Sequence, residues 1–112
     1  MQKTNSWMRS MMVTALLVAF PLLSAPAQAQ TGGEALYKSK CAACHGADGK
    51  GQTTMGKANN LKDLGSADVQ KLSDDDIAGI ISGGKGKMPA YGKSLKPEQV
   101  KDLVAYIRTL KK

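Results

Sequence analysis

The sequence predicts an all-α fold of three to four short helices joined by long loops, and three observations predict it. No stretch alternates apolar and polar residues convincingly enough to read as a strand. Several segments instead repeat apolar residues at helical spacing, with start and stop signals at their ends. Finally, both cysteines and the only histidine fall within five residues, Cys41-Ala42-Ala43-Cys44-His45. A short chain with few large side chains needs such a staple to hold a core together.

That stretch is C-x-x-C-H, which reads as a site of covalent c-type haem attachment. Two thiols three positions apart each form a thioether to one of the two vinyl groups on a haem edge. The imidazole beside the second thiol then reaches the iron from one face as the proximal ligand. Other readings of the same residues fit less well. A thioredoxin-like redox pair belongs near a βαβ pattern. A structural zinc site needs four ligands, and Cys41, Cys44 and His45 supply three with no further Cys or His in the chain. A plain disulfide suits an oxidising compartment but leaves His45 without a task.

Residues 1–29 read as a cleaved signal peptide, which leaves 30–112 as one small domain. Lys3 and Arg9 make a positive start, an apolar run follows from Met11 to Leu23 with Pro21 inside it, and Ala27-Gln28-Ala29 is an A-x-A cleavage site. The run is shorter than the roughly 20 apolar residues a spanning helix needs, so no stable membrane insertion is expected after cleavage. No cysteine follows it directly to carry a lipid. Loss of Lys3 and Arg9 takes the formal charge from +7 to +5, and Trp7 and Phe20 leave as well. Tyr37, Tyr91 and Tyr106 then remain as the aromatics. A buried porphyrin would supply the apolar body that this composition lacks.

The first helix is expected from Gly32 to Cys44, with Glu34 early where the helix dipole favours an anion. Tyr37 and Cys41 share one face, and Gly33 lies on it four residues before Tyr37, where it would let another helix approach. From Gly46 to about Gly65 the chain is polar and rich in Gly, Asp and Asn, which marks a long loop. Leu61 and Leu64 would anchor that loop over one haem edge.

A short helix is expected from Ala67 to Leu72. Ser73 then caps a second one, with Asp74, Asp75 and Asp76 in its first turn and Ile77, Ile80 and Ile81 on one face. The three aspartates are a helix start rather than a metal site. Ser82-Gly83-Gly84 ends the helix. The glycines and proline of Gly83 to Gly92 forbid regular structure, and Met88 stands alone among them. A thioether sulfur is a haem-iron ligand in electron-transfer cytochromes. Met55 follows His45 too closely to be carried to the opposite haem face, whereas Met88 has a loop and helices in between.

Pro97 opens the last helix from a favoured first-turn position. Val100, Leu103, Val104, Ile107 and Leu110 form its apolar stripe, and Lys111 and Lys112 sit at its C-terminus. This stripe is expected to pack on the first helix near Gly33 and Tyr37.

Gly33, Tyr37, Cys41, Cys44, His45, Met88 and the run Leu103-Val104-Ala105-Tyr106-Ile107 together resemble a class I monohaem cytochrome c over the whole of residues 30–112. Met88-Pro89-x-Tyr91 is similar to the methionine loop of its small soluble members. The resemblance implies the cytochrome c fold with crossed N- and C-terminal helices, thioethers from Cys41 and Cys44 to a single haem c, and axial iron ligation by His45 and Met88. It also points to one departure. The family commonly has a proline before a leucine in the first loop, whose carbonyl fixes the histidine ring, and Ala58-Asn59-Asn60-Leu61 has none.

The function expected is that of a soluble, monomeric single-electron carrier in the periplasm or another extracytoplasmic compartment. It would shuttle electrons between larger redox proteins and would not be an enzyme. Lys85, Lys87, Lys93 and Lys96 would steer it to acidic docking patches on those partners. The alternative is a haem enzyme or a gas or redox sensor with an open sixth coordination site. The basic charge does not indicate nucleic acid, since no aromatic-basic alternation or binding motif accompanies it.

Overall fold

The structure is a computed structural model that describes residues 28–112 together with Ala19 and Pro21. The leader expected over 1–29 lies outside the described residues apart from those two and Gln28-Ala29. The chain forms α1 (Gln28–Lys40), α2 (Ala42–His45), α3 (Thr54–Ala58), α4 (Ala67–Gln70), α5 (Asp74–Gly83) and α6 (Pro97–Thr109). Among the described residues the only extended pairing is a single bridge between Lys85 and Met88. The all-α expectation therefore holds. The helix count is higher because α2, α3 and α4 are single turns of four or five residues.

The frame is the crossing of α1 and α6. A Cβ on Gly33 would lie 2.1 Å from the Asp102 carbonyl oxygen and 3.2 Å from the Tyr106 Cβ, so the two backbones meet where the side chain is missing. One turn on, the Tyr37 and Tyr106 rings pack tilted at 47° with centroids 5.0 Å apart, a favourable aromatic separation. The expected stripe on α6 is the core: Val100, Leu103, Val104 and Ile107 are buried with Tyr37 of α1, Ile77 and Ile81 of α5, and Leu95.

Local signals explain the ends of the longer helices. The Ser73 hydroxyl accepts from the Asp76 N–H at 3.0 Å, and the Asp76 carboxylate accepts from the Ser73 N–H at 3.4 Å, a reciprocal cap that accounts for the aspartate cluster. On α6, Pro97 occupies the first turn and Gln99 Oε1 accepts from the Lys96 N–H at 2.8 Å.

Three expectations change. α1 starts at Gln28, so Glu34 is not in its first turn. Glu34 faces Lys38 one turn ahead instead, at 2.7 Å. The first helix also does not run through to Cys44. It breaks at Cys41 and resumes as α2, which re-aims the attachment residues. The loop after His45 contains α3, begun by Thr53, whose hydroxyl accepts from the Gly56 N–H at 2.8 Å.

Candidate functional site

The break at Cys41 makes the site. The Cys44 and His45 N–H groups both donate to the Cys41 carbonyl, at 3.2 and 2.9 Å, and Gly46 N–H donates to Ala42 at 2.8 Å. This tight turn presents Cys41, Cys44 and His45 to one cavity of about 580 Å³, and Met88 reaches the same cavity from the far loop. The four residues singled out in the sequence thus meet around one space. A second cavity, of about 590 Å³ between α5 and α6, is lined by no cysteine, histidine or methionine.

The segment is braced from three sides. Tyr37 is fully buried and donates its hydroxyl to the Gly46 carbonyl at 2.6 Å, just past His45. The Thr53 hydroxyl donates to the Cys44 carbonyl at 2.6 Å while also capping α3. Gly51 N–H donates to the His45 carbonyl at 2.7 Å. Sequence reasoning missed the Thr53 contact. A Thr preceding a turn of helix was its only signal, and no apolar periodicity marked that turn.

Met88 is held in a tight turn, with Lys85 and Met88 exchanging backbone hydrogen bonds at 3.2 and 2.9 Å. Gly84 and Gly86 take positive φ values of 74° and 57° within it, a conformation that favours glycine. Met88 packs against the core, whereas Met55, although it also lines the cavity, is half exposed. The longer loop delivers the more enclosed sulfur.

The donor chemistry suits a haem. Neither cysteine is in a disulfide, and burial together with the neighbouring Cys44 pushes the Cys41 thiol up to about 11. Burial pushes the His45 imidazole below its ordinary value. It therefore stays neutral, the form that ligates a metal. His45 Nδ1 is buried with no hydrogen-bond partner, in keeping with the missing proline before Leu61. Leu61, Leu64, Val69, Leu72, Ile80 and Ile107 give the cavity apolar walls, as a porphyrin face requires.

The edge of the cavity is basic. Lys85, Lys87, Lys93 and Lys96 are all exposed, and none of the four forms an ion pair among the described residues. Lys85 and Lys87 line the opening directly, as do Lys40, Lys62 and Lys71. Among the described residues no helix is long and apolar enough to cross a membrane.

Comparison with known proteins agrees with this geometry. A family model described as cytochrome c oxidase, cbb3-type, subunit III matches residues 28–107. The chain is 31% identical over 102 residues to cytochrome c6 of Gloeothece citriformis, covering 88% of this chain and 87% of that one. It is 36% identical over 81 residues to cbb3-type cytochrome c oxidase subunit FixP of Azorhizobium caulinodans, covering 70% of this chain but 26% of that longer protein. Among solved structures it is similar to the KustC0563 c-type cytochrome, with a TM-score of 0.67 and 36% identity over 71% of this chain and 98% of that one. The family implies a covalently bound haem c with its iron, for which the residues around the cavity have the right chemistry, and the work of an electron carrier. The chain belongs to the c-type cytochromes, as a small monohaem class I cytochrome c.

Proposed function

We propose that this chain is an exported, monomeric single-electron carrier with both axial positions of its haem iron filled by protein. The observation that carries the reading is the convergence of Cys41, Cys44, His45 and Met88 on one apolar cavity. Cys41 and Cys44 would hold the porphyrin edge by thioethers, and His45 and Met88 would ligate the iron. Bound in this way, haem supplies a one-electron ferric–ferrous couple whose potential methionine ligation raises.

The chain's own residues do the rest. Leu61, Leu64 and Val69 exclude water from the porphyrin face. The Tyr37, Thr53 and Gly51 hydrogen bonds fix the backbone that carries His45. With His45 and Met88 both on the iron, no position would be left for a substrate, which supports a carrier rather than an enzyme. The unpaired lysines around the opening attract an acidic surface and speed encounter at low salt. Small, quickly exchanging interfaces are expected for such redox contacts.

The positive start, apolar run and Ala27-Gln28-Ala29 site of residues 1–29 support export to the periplasm or another extracytoplasmic compartment. Cleavage after Ala29 would trim only the first two residues of α1 and leave Gly33 and Tyr37 in place. The partners are larger redox proteins with acidic docking patches. The FixP relative is named as a subunit of a cbb3-type cytochrome c oxidase, which makes a terminal oxidase of that class the first partner to try.

The test is the absorption spectrum of the exported protein, oxidised and reduced, beside that of Met88→Ala. A low-spin spectrum with a methionine-to-ferric-iron band near roughly 695 nm that vanishes in the variant is the expected result. A high-spin ferrous form that takes up CO readily and ignores the substitution would replace this reading with an enzyme or sensor.

A further inference from the structure

The loop that carries Met88 is weakly attached to the side of the cavity it faces. Its own backbone bonds, Lys85 to Met88 and back, are internal. A Cβ added at Gly83 or Gly86 would meet nothing within 4 Å, so the loop stands clear of the body there. Downstream, Tyr91 N–H donates to the Ile81 carbonyl at 2.9 Å and Gly92 N–H to Ser82 at 3.0 Å, which ties the loop back to the helix it came from. Among the described residues, a single hydrogen bond joins the stretch 84–92 to α1 or α2. The Tyr91 hydroxyl donates to the Lys40 carbonyl at 3.1 Å.

The position of that bond gives it a purpose. Lys40 ends α1, where carbonyls lack a partner within the helix. It also immediately precedes Cys41. Tyr91 comes three residues after Met88, and both Lys40 and Tyr91 line the cavity. The bond therefore links the peptide leading into the attachment motif to the loop presenting the thioether. A phenylalanine would fill the same space with its ring, so the hydroxyl adds direction rather than volume.

We propose that Tyr91 is a positioning residue for Met88: its hydroxyl straps the methionine loop to the end of α1 and so holds the sulfur over the cavity. This rests on the reading of Met88 as an axial ligand. Without the strap, the Gly83–Gly86 stretch lets the loop swing outward and the iron's sixth position opens more often.

The experiment is a double-mutant cycle on the ferric holoprotein, titrated with free imidazole and followed by the Soret shift. Haem content and far-UV circular dichroism of each variant check that it has folded. Tyr91→Phe is expected to bind imidazole about fivefold more tightly than the parent, the fold-change of one neutral hydrogen bond. In a Met88→Ala background the same change should shift affinity by less than about twofold, because its effect runs through Met88. An unchanged affinity in Tyr91→Phe, with a gain in Met88→Ala, would overturn the strap and leave the axial ligand standing. A fivefold gain in both backgrounds would also overturn it, since the hydroxyl would then act on the cavity itself. If Met88→Ala does not tighten imidazole binding, the axial-ligand reading fails and the strap with it.

Discussion

The Tyr37 hydroxyl donates to the Gly46 carbonyl at 2.6 Å, closing a bracket around Cys41–His45 from inside the core. Tyr37 lies one turn before Cys41 and Gly46 follows His45 directly, so one buried bond fixes both ends of the attachment segment. Both residues are buried. Tyr37→Phe leaves the Gly46 carbonyl with only the Gly49 N–H, at 3.1 Å, and is expected to cost about 0.5–1.5 kcal/mol, the net worth of one hydrogen bond. Urea denaturation of the holoprotein measures this, as a lower midpoint at unchanged slope.

The same phenol sets an alkaline limit. Burial, the largest cause, and after it the charges of Tyr106 and Asp48 raise its pKa well above the ordinary 10.0. As pH climbs past 10, the unfolded chain gives up this proton while the folded chain keeps it. Stability from this group is complete below pH 10 and lost above it. Denaturation midpoints taken between about pH 9 and 11 should fall more steeply for the parent than for Tyr37→Phe. Parallel curves would mean that other groups set the alkaline limit.

Two glycines should respond to the same substitution in opposite ways. A methyl at Gly33 meets the Asp102 backbone at 2.1 Å, and neither helix can yield without moving the crossing. Gly33→Ala is expected to cost about 3 kcal/mol, the upper range for overpacking. Gly79 lies mid-helix in α5, exposed, with nothing within 4 Å of an added Cβ. Gly79→Ala should stabilise by roughly 0.5–1 kcal/mol. Thermal melts distinguish them, at about 4–8 °C per kcal/mol in a domain this small.

Arg108 holds the end of α4 and its link to α5, which carry Val69 and Leu72 to the cavity wall. Its guanidinium donates to the carbonyls of Gln70 and Leu72 at 2.9 and 2.6 Å, and to Asp74 at 2.9 Å. The Asp74 carboxylate is largely exposed and adds little. Arg108→Ala should cost about 2 kcal/mol, mostly from the two stranded carbonyls. Arg108→Lys should recover less than half of that, because one ammonium cannot serve two divergent acceptors. Full rescue by lysine would show that charge alone matters.

What the sequence disclosed followed from how local each signal is. Cys41, Cys44 and His45 announce themselves in five residues. The α6 stripe is a periodic pattern over three turns, and Ser73 with Asp76 is a cap written in four letters. Pairing Gly33 and Tyr37 with α6 followed from a glycine that lets another helix approach on one segment and an apolar stripe that needs a partner on the other. The contacts that escaped are those in which a side chain meets a distant carbonyl: Tyr91 with Lys40, Thr53 with Cys44, Arg108 with Gln70 and Leu72. A backbone oxygen looks alike at every residue, so no composition or spacing marks which one a hydroxyl or guanidinium will find. The break at Cys41 was hidden for another reason. Tyr37, Cys41 and Cys44 keep helical spacing across it, and only the tertiary fit shows that the helix stops and restarts.

The crossing at Gly33 gives the molecule an order of events. A chain leaving the ribosome or the export channel N-terminus first offers Cys41 and Cys44 long before Leu103 and Ile107 exist to close over them. Ile107, which walls the cavity, is synthesised 107 − 44 = 63 residues after Cys44. Until then α1 has no partner for its glycine notch, and contacts between segments far apart in sequence are slow to form. The thiols therefore stay reachable until α6 docks, and α6 acts as the lock that turns an open attachment site into a closed one.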